Sequence, residues 1–434
     1  MACPAPRKGK YMRVLWVVNQ CIPVIAKHLN IEVPNKEGWL SGLSEKLIAE
    51  KNEDLTLGIC FDAGFEYGRY KGEYEVTAYG YDDDRSAPEI YDESLEYRFS
   101  EIIEDFKPDV IHIFGTEYPH TLAVCKAAKD PSKILIGIQG LCSVYAKHYF
   151  DGLPEEMYVK ETLRDRIKSD NIIEQQAKFV KRGEYEIEAI KLAGNVTGRT
   201  SWDKKYTSEY NPDAKYFFMN ETLRNNFYVD KWEYNNCEKH TLFASQGDYP
   251  IKGLHVLLKA LPEIKKDYPD VKLYVAGNKI NGEDSLKKKI LIGTYGRYIN
   301  KLIKEGDLSE NVVFLGSLCA FNMKQRYLSC NAFISPSMME NSPNSLGEAM
   351  LLSMPVISSD VGGVRDLMSE EEGFIYPPLD EKALVECVKK CFEQNGSKAQ
   401  KEMCEKAAAR ARITHNPDTN YKRLLEIYNE IANK

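Results

Sequence analysis

The chain has 434 residues, 43% hydrophobic and 28% charged, with a formal net charge of −7. That length exceeds one compact core and predicts two domains of roughly 200 residues each. The acidic balance offers no global cationic field for nucleic acid, and no run reaches the ~20 apolar residues of a membrane helix.

The opening MACPAPRKGK is basic but lacks the apolar core of a secretory signal. Short apolar runs then alternate with longer helical patterns, which predicts parallel sheets built from βαβ units. In the first half, strands are expected at 13–18, 55–60, 109–114, 133–138 and 195–200. The stretch 66–98, rich in Tyr, Asp and Gly, gives no clear element, and Asp82-Asp83-Asp84 within it reads as solvated surface. Residues 219–240 are polar and Asn-rich, the composition of a linker. In the second half, strands are expected at 241–245, 271–277, 311–316, 332–337, 355–360 and 373–378. The basic amphipathic segment 285–304 falls where a sheet-covering helix is required, and 384–433 is helical with Pro417 interrupting it. The expected division is an amino-terminal domain 1–220, a linker 221–240, a second domain 241–415 and a closing helix 416–434. Eleven cysteines with no CxxC pair predict reduced thiols in a cytoplasmic protein rather than a disulfide framework or zinc ribbon.

The most informative stretch is SPSMMENSPNSLGEAMLLSMPVISSDVGG (335–363). Glu340 and Glu348 stand eight apart, between one predicted strand and the next, with Gly362 and Gly363 behind. Ligands of open α/β sheets bind outside the carboxyl ends of strands. Upstream, YPIKGLHVLLKALPEI (249–264) puts Lys252 at a helix start, where its ammonium and free backbone N–H groups favour anions.

These features resemble the E-x7-E motif and K-G helix start of retaining nucleotide-sugar glycosyltransferases of family 4 (glycosyl transferases group 1). PDVIHIFGTEYPH (108–120), NVTGRTSWDKKY (195–206) and NVVFLGSL (311–318) resemble further blocks of that family, in the same order. The resemblance implies an α/β GT-B fold, with two Rossmann-like domains facing across a cleft. Its last helix would cross back to the first domain. It implies hexosyl transfer with retention, without a required metal or other cofactor. The donor would be a nucleotide sugar, UDP-sugar foremost, and the acceptor a saccharide or lipid-linked saccharide, in bacterial polysaccharide or glycolipid assembly. Nucleic acid is not an expected partner. Peripheral contact with the inner face of the membrane is left open.

The resemblance also assigns roles. Lys252 would hold the diphosphate, and Glu340 would accept from donor-sugar hydroxyls. Ser342 and the N–H groups of Asn344, Ser345 and Leu346 would face sugar or phosphate, and Glu348 would bind the ribose hydroxyls bidentately. Two positions depart from the family pattern. Ser245-Gln246 stands where Gly-Arg is common, and Gln139-Gly140 where His-Gly is common. Glutamine donates hydrogen bonds but carries no charge, so Gln246 is a donor-site candidate and Gln139 a catalytic one. Gly38 resembles the family's glycine loop beside the diphosphate and acceptor and is a donor-site candidate, although Trp39 follows where a second glycine is usual. Trp39, His120 and His148 are acceptor-side candidates. Two alternatives stay open: a catalytically impaired GT-B protein that binds sugar nucleotides as a partner, and another GT-B enzyme such as an epimerase.

Overall fold

The computed structural model describes residues 11–29, 38–62, 68–71, 75–282 and 291–433. The first sheet contains β1 (Met12–Val18), β2 (Leu55–Asp62), β3 (Gly68–Lys71), β4 (Glu75–Tyr81), β5 (Val110–Phe114), β6 (Ile134–Gly137), β7 (Asn195–Gly198) and β8 (Lys215–Phe218). Their order is β3-β4-β2-β1-β5-β6-β7-β8, parallel except for the β3–β4 hairpin. Strands such as VIHIF are buried along their whole length, as expected where helices cover both faces of a parallel sheet.

The second sheet contains β9 (Glu238–Ala244), β10 (Lys272–Ala276), β11 (Val312–Gly316), β12 (Cys330–Ser335), β13 (Val356–Ser359) and β14 (Phe374–Tyr376). It is wholly parallel, in the order β11-β10-β9-β12-β13-β14. The winding direction reverses between β9 and β12. The loops beyond these two strands therefore diverge and leave a crevice at their carboxyl ends. Two Rossmann-like α/β units thus make up the molecule, as expected.

Several local expectations are corrected. The stretch 66–98 holds β3 and β4, whose Tyr, Gly and charged residues hide the apolar alternation. The strand expected at 195–200 stops at Gly198, because Thr200 caps the helix Ser201–Tyr210 by accepting from Asp203 N at 3.1 Å. Asp83 is not solvated: the turn after β4 buries it against His120, while Asp82 and Asp84 stay exposed. Pro417 opens the helix Pro417–Ala432 instead of breaking one, in the first turn where its missing N–H is harmless. Within 285–304, residues 285–290 lie outside the described residues. The helix Thr294–Glu305 follows and buries Tyr295, Tyr298 and Ile299 in the core.

Pro417–Ala432 crosses back onto the first sheet. Tyr421, Leu424, Ile427, Tyr428 and Ile431 join a core with Val14, Trp16 and Phe114. The Tyr428 hydroxyl accepts from Trp16 Nε1 at 2.8 Å and lies 2.7 Å from His112 Nδ1. Among the described residues no helix is long and apolar enough to cross a membrane.

Candidate active site

The site grows from two loops pressed together backbone to backbone. Gly253 has φ +68°, and a Cβ there would lie 1.8 Å from Pro336 O. Only glycine permits this approach, which Met338 N reinforces by donating to Ile251 O at 2.7 Å. Gly362, at φ +54°, admits Glu340 O in the same way, since a Cβ would stand 1.7 Å from it. Lys252 and Glu340 are thereby brought together, with Nζ donating to Oε1 at 2.6 Å and Ser337 Oγ donating to the same oxygen at 2.7 Å. Burial opposes the charged form of Lys252, but the Glu340 carboxylate overrides it and the lysine pKa is raised. The ammonium is fixed as a cation.

The helix Asn344–Leu351 opens at Pro343, which supplies no side-chain cap. Asn344 and Ser345 line the cleft from its first turn. Leu346 does not: its N–H is bonded to Pro343 O at 3.0 Å and its side chain is fully buried. One turn further on, Glu348 is held by Arg224 of the linker, whose Nε and Nη2 donate to Oε1 and Oε2 at 2.7 and 2.6 Å. Burial raises the Glu348 pKa, against the pull of Arg224.

The cleft encloses about 360 Å³, within the range of small-ligand sites. Ser245, Gln246, Lys252, Glu340, Ser342 and Glu348 line one side, with Leu318 and Met323 as an apolar end. Gln139 and Arg199 line the other side, at the carboxyl ends of β6 and β7. The two walls touch where Asn341 Nδ2 donates to Gln139 O at 3.2 Å and Thr200 Oγ1 donates to Asn341 Oδ1 at 2.6 Å.

Arg199, Glu221 and Arg224 escaped the sequence reading. Arg199 Nη1 donates to Ile138 O at 3.0 Å and to Glu221 Oε1 at 2.8 Å. Gln139 Nε2 donates to the same glutamate oxygen at 2.7 Å, while Gln139 Oε1 faces Arg199 Nη2 at 3.3 Å. These contacts orient the Gln139 amide. Burial raises the Glu221 pKa, with Arg199 opposing it. An arginine directly after an apolar strand (TGRT) and a Glu–Arg pair in a polar linker (NETLR) were the available signals.

Of the acceptor-side candidates, His120 and His148 do not line this cleft. Gly38 begins the helix Gly38–Glu50 with Trp39 next, and 35–37 lie outside the described residues. His120 Nδ1 is 3.0 Å from Asp83 Oδ2, both buried. His148 Nδ1 is 2.8 Å from Asp151 Oδ2, on the segment that meets the second domain. Among the described residues no group of three or more His, Cys, Asp or Glu side chains is placed to hold a metal.

Residues 228–412 match the family model of glycosyl transferases group 1. Over 157 residues the chain is 28% identical to the phosphatidyl-myo-inositol mannosyltransferase of Mycobacterium leprae, covering 36% of this chain and 37% of that protein. It is 26% identical over 142 residues to a putative colanic acid biosynthesis glycosyltransferase of Escherichia coli, covering 31% and 32%. These matches span about a third of the length of the curated relatives. Across 97% of this chain and 99% of the other, the fold is similar to sucrose-phosphate synthase of Thermosynechococcus elongatus, with a TM-score of 0.67 at 14% identity. Anabaena HepE, solved with UDP and glucose, gives 0.64 at 15% identity, over 96% of this chain and 100% of its own. The segment matched by the family model carries Lys252, Glu340 and Glu348, and the fold of the whole chain is the GT-B fold of these solved structures.

Proposed function

We propose that this protein transfers a hexosyl unit from a nucleoside diphosphate sugar, UDP-sugar foremost, to a saccharide or lipid-linked saccharide, with retention and without a metal. The observation that carries the reading is the grouping of Lys252, Glu340, the first turn of Asn344–Leu351 and Glu348 around one cleft at the β9/β12 reversal. Breaking the sugar–phosphate bond builds negative charge on the departing diphosphate. A preorganised ammonium and uncapped helix N–H groups stabilise that charge. Glu340, fixed through Lys252 and Ser337, accepts from sugar hydroxyls, and Glu348 accepts from the ribose. The leaving phosphate takes the acceptor proton, so the reading asks for no separate protein base. The named relatives, a mannosyltransferase acting on a phosphatidylinositol and a colanic acid glycosyltransferase, favour polysaccharide or glycolipid assembly.

The test is thermal-shift binding of UDP-, GDP-, ADP- and TDP-sugars, then transfer to saccharide acceptors with the product anomer read by NMR. A donor-selective shift that disappears in Lys252→Ala, and a product with the donor's anomeric configuration, are expected. An inverted product would remove the retaining mechanism. A second reading, binding without turnover, draws on the uncharged Gln139 and Gln246. It predicts a donor shift with neither transfer nor hydrolysis.

A further inference from the structure

Lys252 alone leaves a diphosphate undercompensated. The leaving group departs as a multiply charged anion, Lys252 already shares its ammonium with Glu340 at 2.6 Å, and Gln246 in the same cleft is neutral. Two arginines also line the cleft. Arg199 is an unsuitable partner, because its side chain is only 5% exposed and its Nη1 and Nη2 atoms bond to Ile138 O, Glu221 and Gln139.

Arg224 differs on both counts. Its side chain is 16% exposed. Glu348 engages Nε and Nη2, and no described residue hydrogen-bonds Nη1. A guanidinium presents five N–H donors in a rigid fork, so one edge can hold a carboxylate while the other grips a phosphate. The ring of Phe227 lies 4.8 Å from the guanidinium carbon, a further contact that fixes the group. Glu348 and Phe227 thus hold Arg224 where it lines the cleft, with Nη1 making no hydrogen bond to any described residue.

We propose that Arg224, carried on the linker between the domains, is the second cation of the diphosphate subsite and contacts phosphate oxygens through its free edge. The proposal rests on the nucleotide-sugar reading of the cleft. It makes the linker a part of the donor site. Glu221, three positions earlier, already holds Gln139 and Arg199 of the opposite wall.

The test is calorimetric titration of wild type, Arg224→Gln, Arg224→Lys and Arg224→Gln with Gln246→Arg. The ligands are uridine, guanosine and adenosine, each with its diphosphate. A lost charge-assisted contact predicts that Arg224→Gln weakens diphosphate binding at least ~10-fold and nucleoside binding less than ~3-fold. Adding Gln246→Arg should recover part of the loss. An equal loss for nucleoside and diphosphate, with no recovery from Gln246→Arg, overturns the proposal and leaves Arg224 as a support for Glu348 alone. If circular dichroism shows Arg224→Gln unfolded, the lysine variant decides by the same comparison, since it keeps the charge but loses the fork. A wild type that binds none of the diphosphates removes the donor-site reading, and this proposal with it; failure of the proposal alone requires a wild type that binds.

Discussion

Lys252 and Glu340 form a nearly buried pair, with side chains 19% and 9% exposed. Removing one partner strands the other charge. Lys252→Met should therefore cost about 3 kcal/mol in denaturant unfolding, and adding Glu340→Gln should restore much of that. Equal stability of the single and double variants would contradict the pairing. Glu348 predicts a pH dependence. Burial raises its pKa above the usual 4.5, so the ionised form, which under the proposed function accepts the ribose hydroxyls, is lost at a higher pH than for an exposed glutamate. Nucleotide affinity should fall as pH drops through that raised value, and Glu348→Gln should remove the dependence. The grouping of Lys252, Glu340 and Glu348 was legible in the sequence because their short spacings within a strand–loop–helix frame resemble a family motif. Arg199, Glu221 and Arg224 were not. Arg199 and Glu221 are 22 positions apart, and Arg224 and Glu348 are 124 apart. No local pattern relates them, and a polar linker gives its charged residues no period by which to be noticed.

At the scale of elements, one helix takes its cap from the other domain. Gly293 offers no side chain to the start of Thr294–Glu305. Asp165 supplies one instead, accepting from Thr294 N at 3.0 Å and from Thr294 Oγ1 at 2.5 Å. Asp165→Ala should cost about 1–2 kcal/mol, as lost caps do. It should also speed hydrogen exchange at the first amides of that helix. Nearby, His255 Nε2 is 2.9 Å from Asp151 O, and burial lowers the histidine pKa from 6.5 to about 4. The unfolded chain therefore binds the extra proton between these values, so the contribution is present above pH 6.5 and lost as pH falls toward 4. The stability of His255→Gln relative to wild type should rise across that window by up to about 3 kcal/mol, read from unfolding curves at each pH. The regular βαβ strands were readable because buried parallel strands are continuous apolar runs. The β3–β4 hairpin and β8 were not. GRYK and KYFF are short, and EVTAYGY mixes tyrosine and glycine in a way that also suits a loop.

At the scale of the whole molecule, the two Rossmann-like units were legible from alternation and length. Their mutual seating was not, since the contacts at Thr200–Asn341 and Asp165–Thr294 join residues 141 and 129 positions apart. Cross-chain seating also governs the last helix. Tyr428→Phe removes the acceptor of Trp16 Nε1 and the hydroxyl facing His112 Nδ1, both buried. Leaving buried polar groups unpaired should cost about 2 kcal/mol, measurable by chemical denaturation.

Trp16 and Tyr428 are separated by 412 positions, and that distance sets an order of events on the ribosome. The strands of the first sheet emerge early, and Ile25, Leu40, Leu43 and Leu47 of early helices join the core around Val14 and Trp16, but the part completed by Leu424, Ile427 and Tyr428 stays open until Pro417–Ala432 is made. At about 5–20 residues per second, that exposure lasts roughly 20–80 s. The second sheet needs no such late piece from far along the chain. The half of the molecule synthesised first is therefore the half that matures last, and it presents a nascent apolar surface on which a chaperone could act throughout translation.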